Sequence, residues 1–204
     1  MSRESRQLSW LLRHGAREAG LDMDAAGWAN VQDVLAASGL DRLTLERAVE
    51  RNDKGRLQLD GERIRACQGH STENMPVTVE ALEASWTEIK PAASLWHGTT
   101  MAALTGIAAR GIEPAARSHV HLAETPDSKV GKRSRVEVLL EVSTALLRQR
   151  GLTVFRAQNG VVLIREVPRG CITCVHPSSA CTADVERACE ALGLACASEG
   201  LGWS

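Results

Sequence analysis

The spacing of apolar residues changes character partway along this 204-residue chain, and that change limits the folds open to it. Over the first fifty residues, apolar side chains recur at helical intervals: Leu8, Leu11, Leu12 and Ala19, then Leu43, Leu45, Ala48 and Val49. This spacing predicts helices over 4–20, closed by Gly20, and over about 42–52. Between them the segment 27–35 reads as a short extended piece running into another helix. Leu57-Gln58-Leu59 and Arg63-Ile64-Arg65-Ala66 flank Asp60-Gly61 as a small hairpin. Three helices and a two-stranded wing form a winged-helix pattern, commonly used to hold nucleic acid. Beyond residue 95 short strands take over, at 119–122, 136–142, 152–156, 161–166 and 172–175. Helices are expected at 101–110, ended by Gly111, and at 182–197, with a turn or two of helix within 142–150. The fold class is therefore α+β, with a mainly helical lobe over 1–75, a connector over 76–94, a mainly β lobe over 95–177 and a Cys-rich helical extension over 178–204.

Composition narrows the function. A net charge of −1 and only six aromatic residues argue against a protein that coats nucleic acid or stacks many bases. Any contact with nucleic acid should be local and made by a few arginines. No apolar run approaches the roughly 20 residues needed to span a bilayer. The polar start MSRESRQ lacks a signal-peptide stretch, so a cytoplasmic location is expected. Cys171-x-x-Cys174, His176 and Cys181 have a loose metal-ligand spacing, but no second tight pair completes a set of four. Free thiols in a reducing compartment are the expectation, with no metal bound.

Arginine and histidine gather in three separated strings: Leu11-Leu12-Arg13-His14, Arg65-Ala66-Cys67-Gln68-Gly69-His70-Ser71 and Arg117-Ser118-His119-Val120-His121-Leu122. A guanidinium is a planar fork of donors matched to phosphate oxygens, and imidazole titrates near neutrality. The pairing points to a phosphorylated substrate. No GxGxxG or P-loop is present, which disfavours a Rossmann mode of dinucleotide binding.

These strings, with Gly27-Trp28, Leu95-Trp96-His97-Gly98-Thr99-Thr100, Val130-Gly131-Lys132-Arg133 and Asn159-Gly160-Val161-Val162-Leu163, resemble in order the motifs of the RNA 2′-phosphotransferases, the tRNA 2′-phosphotransferases and their bacterial relatives. The likeness runs from about residue 8 to 176. It implies an ADP-ribosyltransferase-like second lobe and NAD-dependent removal of an internal RNA 2′-phosphate in two steps. The phosphate first takes ADP-ribose from NAD with release of nicotinamide. Transesterification then gives 2′-hydroxyl RNA and ADP-ribose 1″,2″-cyclic phosphate. The resemblance assigns Arg13, His14, Arg65 and Arg117 to catalysis and Gln68, His70 and Ser71 to the RNA. It assigns NAD to His97, Gly98, Thr99, His121, Arg133 and Asn159, the last in a hairpin turn at the site's edge. His119 is expected to point away from His121, as a structural or RNA-side residue. Lys54, Arg56 and Arg63 are generic phosphate contacts or a solvated basic face. The implied partners are 2′-phosphorylated RNA, tRNA included, and NAD, with no membrane and a monomeric state.

Trp96 stands where the family often has Tyr, Trp10 where it is usually polar, and Val162 where a bulkier residue is expected. None removes a catalytic group. Two other readings compete: an ADP-ribosyltransferase that acts on nucleic-acid phosphates or protein and stops after the first step, and a winged-helix regulator that senses NAD without consuming it.

Overall fold

The computed structural model describes residues 2–131, 136–178 and 183–194. Within them the chain is a mixture of helices and small antiparallel sheets, grouped into two compact units. The first comprises Met1–Thr87 with the loops Ala115–Ser118 and Ala157–Asn159, and the second comprises Glu88–Pro114, His119–Arg156 and Gly160–Ser204.

In the first unit, α1 (Arg3–Trp10) starts where the Ser2 hydroxyl accepts from the Ser5 N–H at 3.1 Å, supplying one of the bonds a helix start lacks. The single helix expected over 4–20 is not formed. α1 gives way at Leu11–Gly15 to a π-helical turn, and the chain leaves it through turns to Gly20. Gly15 lies five residues after Trp10, whose ring would meet a Cβ on Gly15 at 2.5 Å. The residues that periodicity cannot place in register are therefore those just before Arg13 and His14. β1 (Ala29–Asn30) leads into α2 (Val31–Ser38), capped by the Asn30 side chain and ended by Gly39 at φ 67°. α3 (Arg42–Glu50) is capped by Asp41. β2 (Leu57–Asp60) and β3 (Arg63–Ala66) form the expected hairpin, and β1 pairs β3 on its other side. Leu8, Leu12, Val31, Leu45 and Ile64 are fully buried in the core beneath. Within the expected connector, the chain forms α4 (Val79–Ala84) and a short strand β4 (Thr87–Ile89) that alternation did not reveal.

In the second unit, β5 (Leu95–Thr99) precedes a 3₁₀ turn, α5 (Leu104–Arg110) and β6 (Val120–Leu122). β7 (Val138–Val142), α6 (Thr144–Gln149), β8 (Val154–Arg156), β9 (Val162–Ile164), β10 (Ile172–Pro177) and α7 (Ala183–Leu192) follow. The strands form two sheets, β10-β7-β5 and β4-β8-β9-β6. A two-bond bridge between Trp96 and Ala123, at 2.9 and 2.8 Å, joins them. Val138, Leu140, Val142 and Val175 turn one face of the first sheet toward Leu104 of α5 and Val185 of α7. The expected end of the last helix, beyond 194, lies outside the described residues, as do Cys181 and Cys196.

Leu140 is 0% exposed on the central strand of its sheet. Leu140→Ala should lower unfolding free energy by about 2–5 kcal/mol in urea denaturation, with the slope unchanged, because it removes packed methyls and leaves a cavity. A loss below about 1 kcal/mol would place this side chain outside the core that holds the second unit.

Candidate active site

Three of the polar strings are tied together by the backbone of the first unit. The Ser71 N–H donates to the Arg13 carbonyl at 2.9 Å. Ser71 and Arg117 form an antiparallel bridge, and the Ser118 N–H donates to the His70 carbonyl at 2.9 Å. The loop carrying Arg117 thus groups by contacts with Arg13, His14 and Arg65 rather than with the strands around it. Residues separated by more than one hundred positions in sequence are held in register by peptide groups, the least adjustable parts of the chain.

Arg13 is half-buried at the surface of the π turn. Its Nε and Nη2 are sealed from solvent and have no hydrogen-bond partner among the described residues. Burial, then the neighbouring charges of Arg117 and Arg56, push its guanidinium down to about 10. Arg65, only 3% exposed on β3, is likewise lowered, chiefly by burial. Its Nε donates to Gln58 Oε1 at 2.9 Å, and its guanidinium carbon lies 4.6 Å from the centre of the Trp28 ring. Arg63 approaches the same ring at 5.0 Å. Among the described residues, neither Arg13 nor Arg65 makes an ion pair with a carboxylate. Positive charge concentrated in this way, with part of its hydration removed, is a receptor for an anion.

His14 Nδ1 lies 2.7 Å from Ser71 Oγ. Burial first, then Arg13 and Arg117, hold its imidazole below the ordinary value of 6.5. It is neutral at pH 7 and so able to accept a proton from a hydroxyl. Gln68 is buried with Oε1 lacking a hydrogen-bond partner among the described residues, and Ser71 is half-buried. His70 is fully buried beneath Gly27, where a Cβ would come within 2.8 Å of His70 Nε2. Gly27 also has φ +86°, so the Gly-Trp pair is fixed by both space and backbone conformation. Sequence reasoning quoted Gly27-Trp28 but gave Trp28 no role. A cation–π contact of this kind is worth about 0.5–2 kcal/mol depending on desolvation, and here it orients Arg65.

In the second unit His97, Gly98 and Thr99 lie on β5, with Thr99 buried. His97 Nδ1 is 3.1 Å from the His121 carbonyl oxygen. A carbonyl only accepts, so Nδ1 carries the proton and Nε2 is the nitrogen with a lone pair. The Glu137 N–H donates to the Thr99 carbonyl at 2.9 Å and its Oε2 accepts from the Met101 N–H at 3.0 Å, fixing the turn after β5. No sequence signal had singled out Glu137. His121 is half-buried on β6, whereas His119 is 1% exposed and precedes the strand. The expectation that the two histidines point apart has no basis in strand alternation, which places residues two apart on one face. They differ because β6 begins only at Val120. Asn159 groups by contacts with the first unit, where its Nδ2 donates to the Lys54 carbonyl at 3.0 Å. Arg133 lies outside the described residues.

Residues 1–166 match the family model described as RNA 2′-phosphotransferase, Tpt1/KptA family. Curated proteins named "Probable RNA 2′-phosphotransferase" are similar over most of their length. One from Burkholderia lata is 43% identical over 178 residues, covering 82% of this chain and 87% of that protein. One from Pseudomonas savastanoi pv. phaseolicola is 39% identical over 178 residues, covering 83% and 91%. One from Agrobacterium fabrum is 37% identical over 185 residues, covering 86% and 95%.

The charge around His14 has a direct readout. In an NMR titration its imidazole midpoint should fall below 6.5 in the native protein. Arg117→Gln should move the midpoint upward, because removing a nearby cation favours the protonated ring. An unmoved midpoint would show that burial and Arg13 alone depress it.

Proposed function

We propose, from the premise that this chain belongs to the RNA 2′-phosphotransferase family and is therefore an enzyme acting on RNA 2′-phosphates, that it works in two steps with NAD as co-substrate. In the first step a phosphate oxygen bonds the anomeric carbon of the nicotinamide ribose as the glycosidic C–N bond breaks. Nicotinamide departs with the electron pair. In the second, the ribose 2″-oxygen bonds phosphorus as the P–O bond to the RNA breaks. The 2″-hydroxyl proton ends on the RNA 2′-oxygen.

The observation that carries this reading is the buried guanidinium of Arg13, without a counter-ion, beside Arg117 and a neutral His14. Negative charge that builds on the phosphoryl oxygens in the second step is what fixed guanidinium donors stabilise. Arg13, Arg65 and Arg117 would hold those oxygens. His14, with Nδ1 engaged by Ser71, would use its other nitrogen to move the hydroxyl proton. Gln68 and Ser71 supply further polar contacts to the RNA. The three helices, the β2/β3 wing and the strand β1 support a winged-helix-like reading of the first unit. The two small sheets bridged at Trp96 and Ala123 support an ADP-ribosyltransferase-like reading of the second. There His97 Nε2 can accept from a ribose hydroxyl of NAD, and Gly98 allows backbone to approach the nicotinamide amide. His121, Arg133 and Asn159 complete the proposed dinucleotide set. The arginines serve the charge stabilisation that a metal ion provides in other phosphoryl transfers.

Incubation of the protein with NAD and an RNA bearing one internal 2′-phosphate should release nicotinamide and the cyclic phosphate in equal amounts. Arg13→Ala and Arg65→Ala should each slow cyclic-phosphate formation by about 10²–10³-fold, the usual effect of losing one preorganised donor. RNA carrying phospho-ADP-ribose should then accumulate. Accumulation of that species by the unsubstituted protein would identify an enzyme that stops after one step, and no release of nicotinamide would refute NAD consumption.

A further inference from the structure

We propose that Glu141, Cys174 and His176, in the second unit, form a binding site for one divalent ion of the zinc class. The site lies on the face of the β10-β7-β5 sheet opposite the apolar core, and the proposed reaction has no use for it.

The register of the sheet builds it. Ile172 pairs with Val142, yet Cys174 pairs with Glu141, so one extra residue, Thr173, is bulged out of β10. Without the bulge Cys174 would oppose Leu140 and share its core-facing side. Moving the register by one residue flips every later side chain to the other face. Cys174 and His176 are thereby brought onto the face of Glu141, while Val175 packs into the core. Trp96 pairs with Glu141 from β5, and its ring lies 5.4 Å from that of His176.

The donor atoms of the three side chains lie within 4.8 Å of one another, with His176 Nε2 and Glu141 Oε2 at 3.8 Å. Tetrahedral zinc with bonds of about 2.0–2.3 Å needs ligand atoms roughly 3.3–3.6 Å apart, a closure that a glutamate rotamer can supply. His176 gives the independent sign. It is 8% exposed, and both ring nitrogens are buried with no hydrogen-bond partner among the described residues. A buried imidazole ordinarily has such a partner, and here the nearby acceptor stands at ligand distance rather than hydrogen-bond distance. Thiolate, imidazole and carboxylate together select zinc over magnesium or calcium. Three protein ligands leave a fourth position for water. The sequence pattern pointed elsewhere, to a Cys171–Cys174 pair with Cys181. Cys171 is buried in the apolar core, Cys181 lies outside the described residues, and the glutamate comes from a strand thirty residues earlier.

The test uses the reduced, chelator-treated full-length protein, titrated with Co²⁺ and with Zn²⁺. The expected results are one ion per chain, a thiolate-to-cobalt charge-transfer band that zinc abolishes, and a rise in Tm with zinc. Cys174→Ser should remove the band. Cys174→Ser and Glu141→Gln should each weaken zinc binding by at least the roughly 10–100-fold that follows loss of a mere supporting partner. Failure of the unsubstituted protein to give the band overturns the proposal however the variants fold. So does a band of equal intensity in Cys174→Ser, which would locate the ligand thiol elsewhere. Nicotinamide release is measured separately, so either idea can fail alone.

Discussion

The first unit is organised around positive charge that its own side chains do not neutralise. Arg13 and Arg65 are withdrawn from water, and among the described residues neither meets a carboxylate. Desolvating a cation without a partner is costly, so the surrounding fold must enforce it. It does so with groups that cannot swing away: peptide bonds from Ser71 to Arg13 and from Ser118 to His70, and the Trp28 ring against Arg65. The same cost becomes useful when a phosphate arrives, because the anion supplies the missing counter-charge at the place where reaction adds more of it. The lowered affinity of His14 for protons is a by-product of that field, and keeps the ring in its proton-accepting form.

What could be read from the amino-acid order follows the reach of each signal. The hairpin at 57–66, the helix stop at Gly39 and the helix–strand switch near residue 95 depend on local periodicity and turn residues, and they were legible. The π turn was not, because helical spacing continues through Leu8, Leu11 and Leu12 while the hydrogen bonding changes beneath it. Strand β4 is three residues long with two exposed, too short to show alternation. Arg13, His14, Arg65 and Arg117 came from motif resemblance, and the structure adds the backbone bonds that join their strings. Trp28 and Glu137 were missed as orienting residues, because what they do depends on partners distant in sequence.

The two units use irregularity differently. In the first, a widened helical turn leads into the guanidinium and imidazole groups. In the second, one surplus residue in β10 decides which side chains leave the core. Each departure from regular geometry sits next to a polar group whose hydrogen bonding is incomplete, Arg13 in one case and His176 in the other. Regular segments nearby, such as β7 with its buried Val138, Leu140 and Val142, carry the packing that tolerates them.

The widened turn at Leu11–Gly15 also bears on how the chain tolerates change in length. A π turn is an α-helix holding one residue more than the regular winding accommodates. Excising a single amino acid there would let the segment relax into ordinary α geometry, which favours the helix itself. Everything downstream would then rotate by about 100°. Arg13 and His14 would swing out of line with Ser71. Homologous chains that bind the same anion in this way are therefore constrained to keep the spacing between Leu8 and Ala16, whatever else they gain or lose.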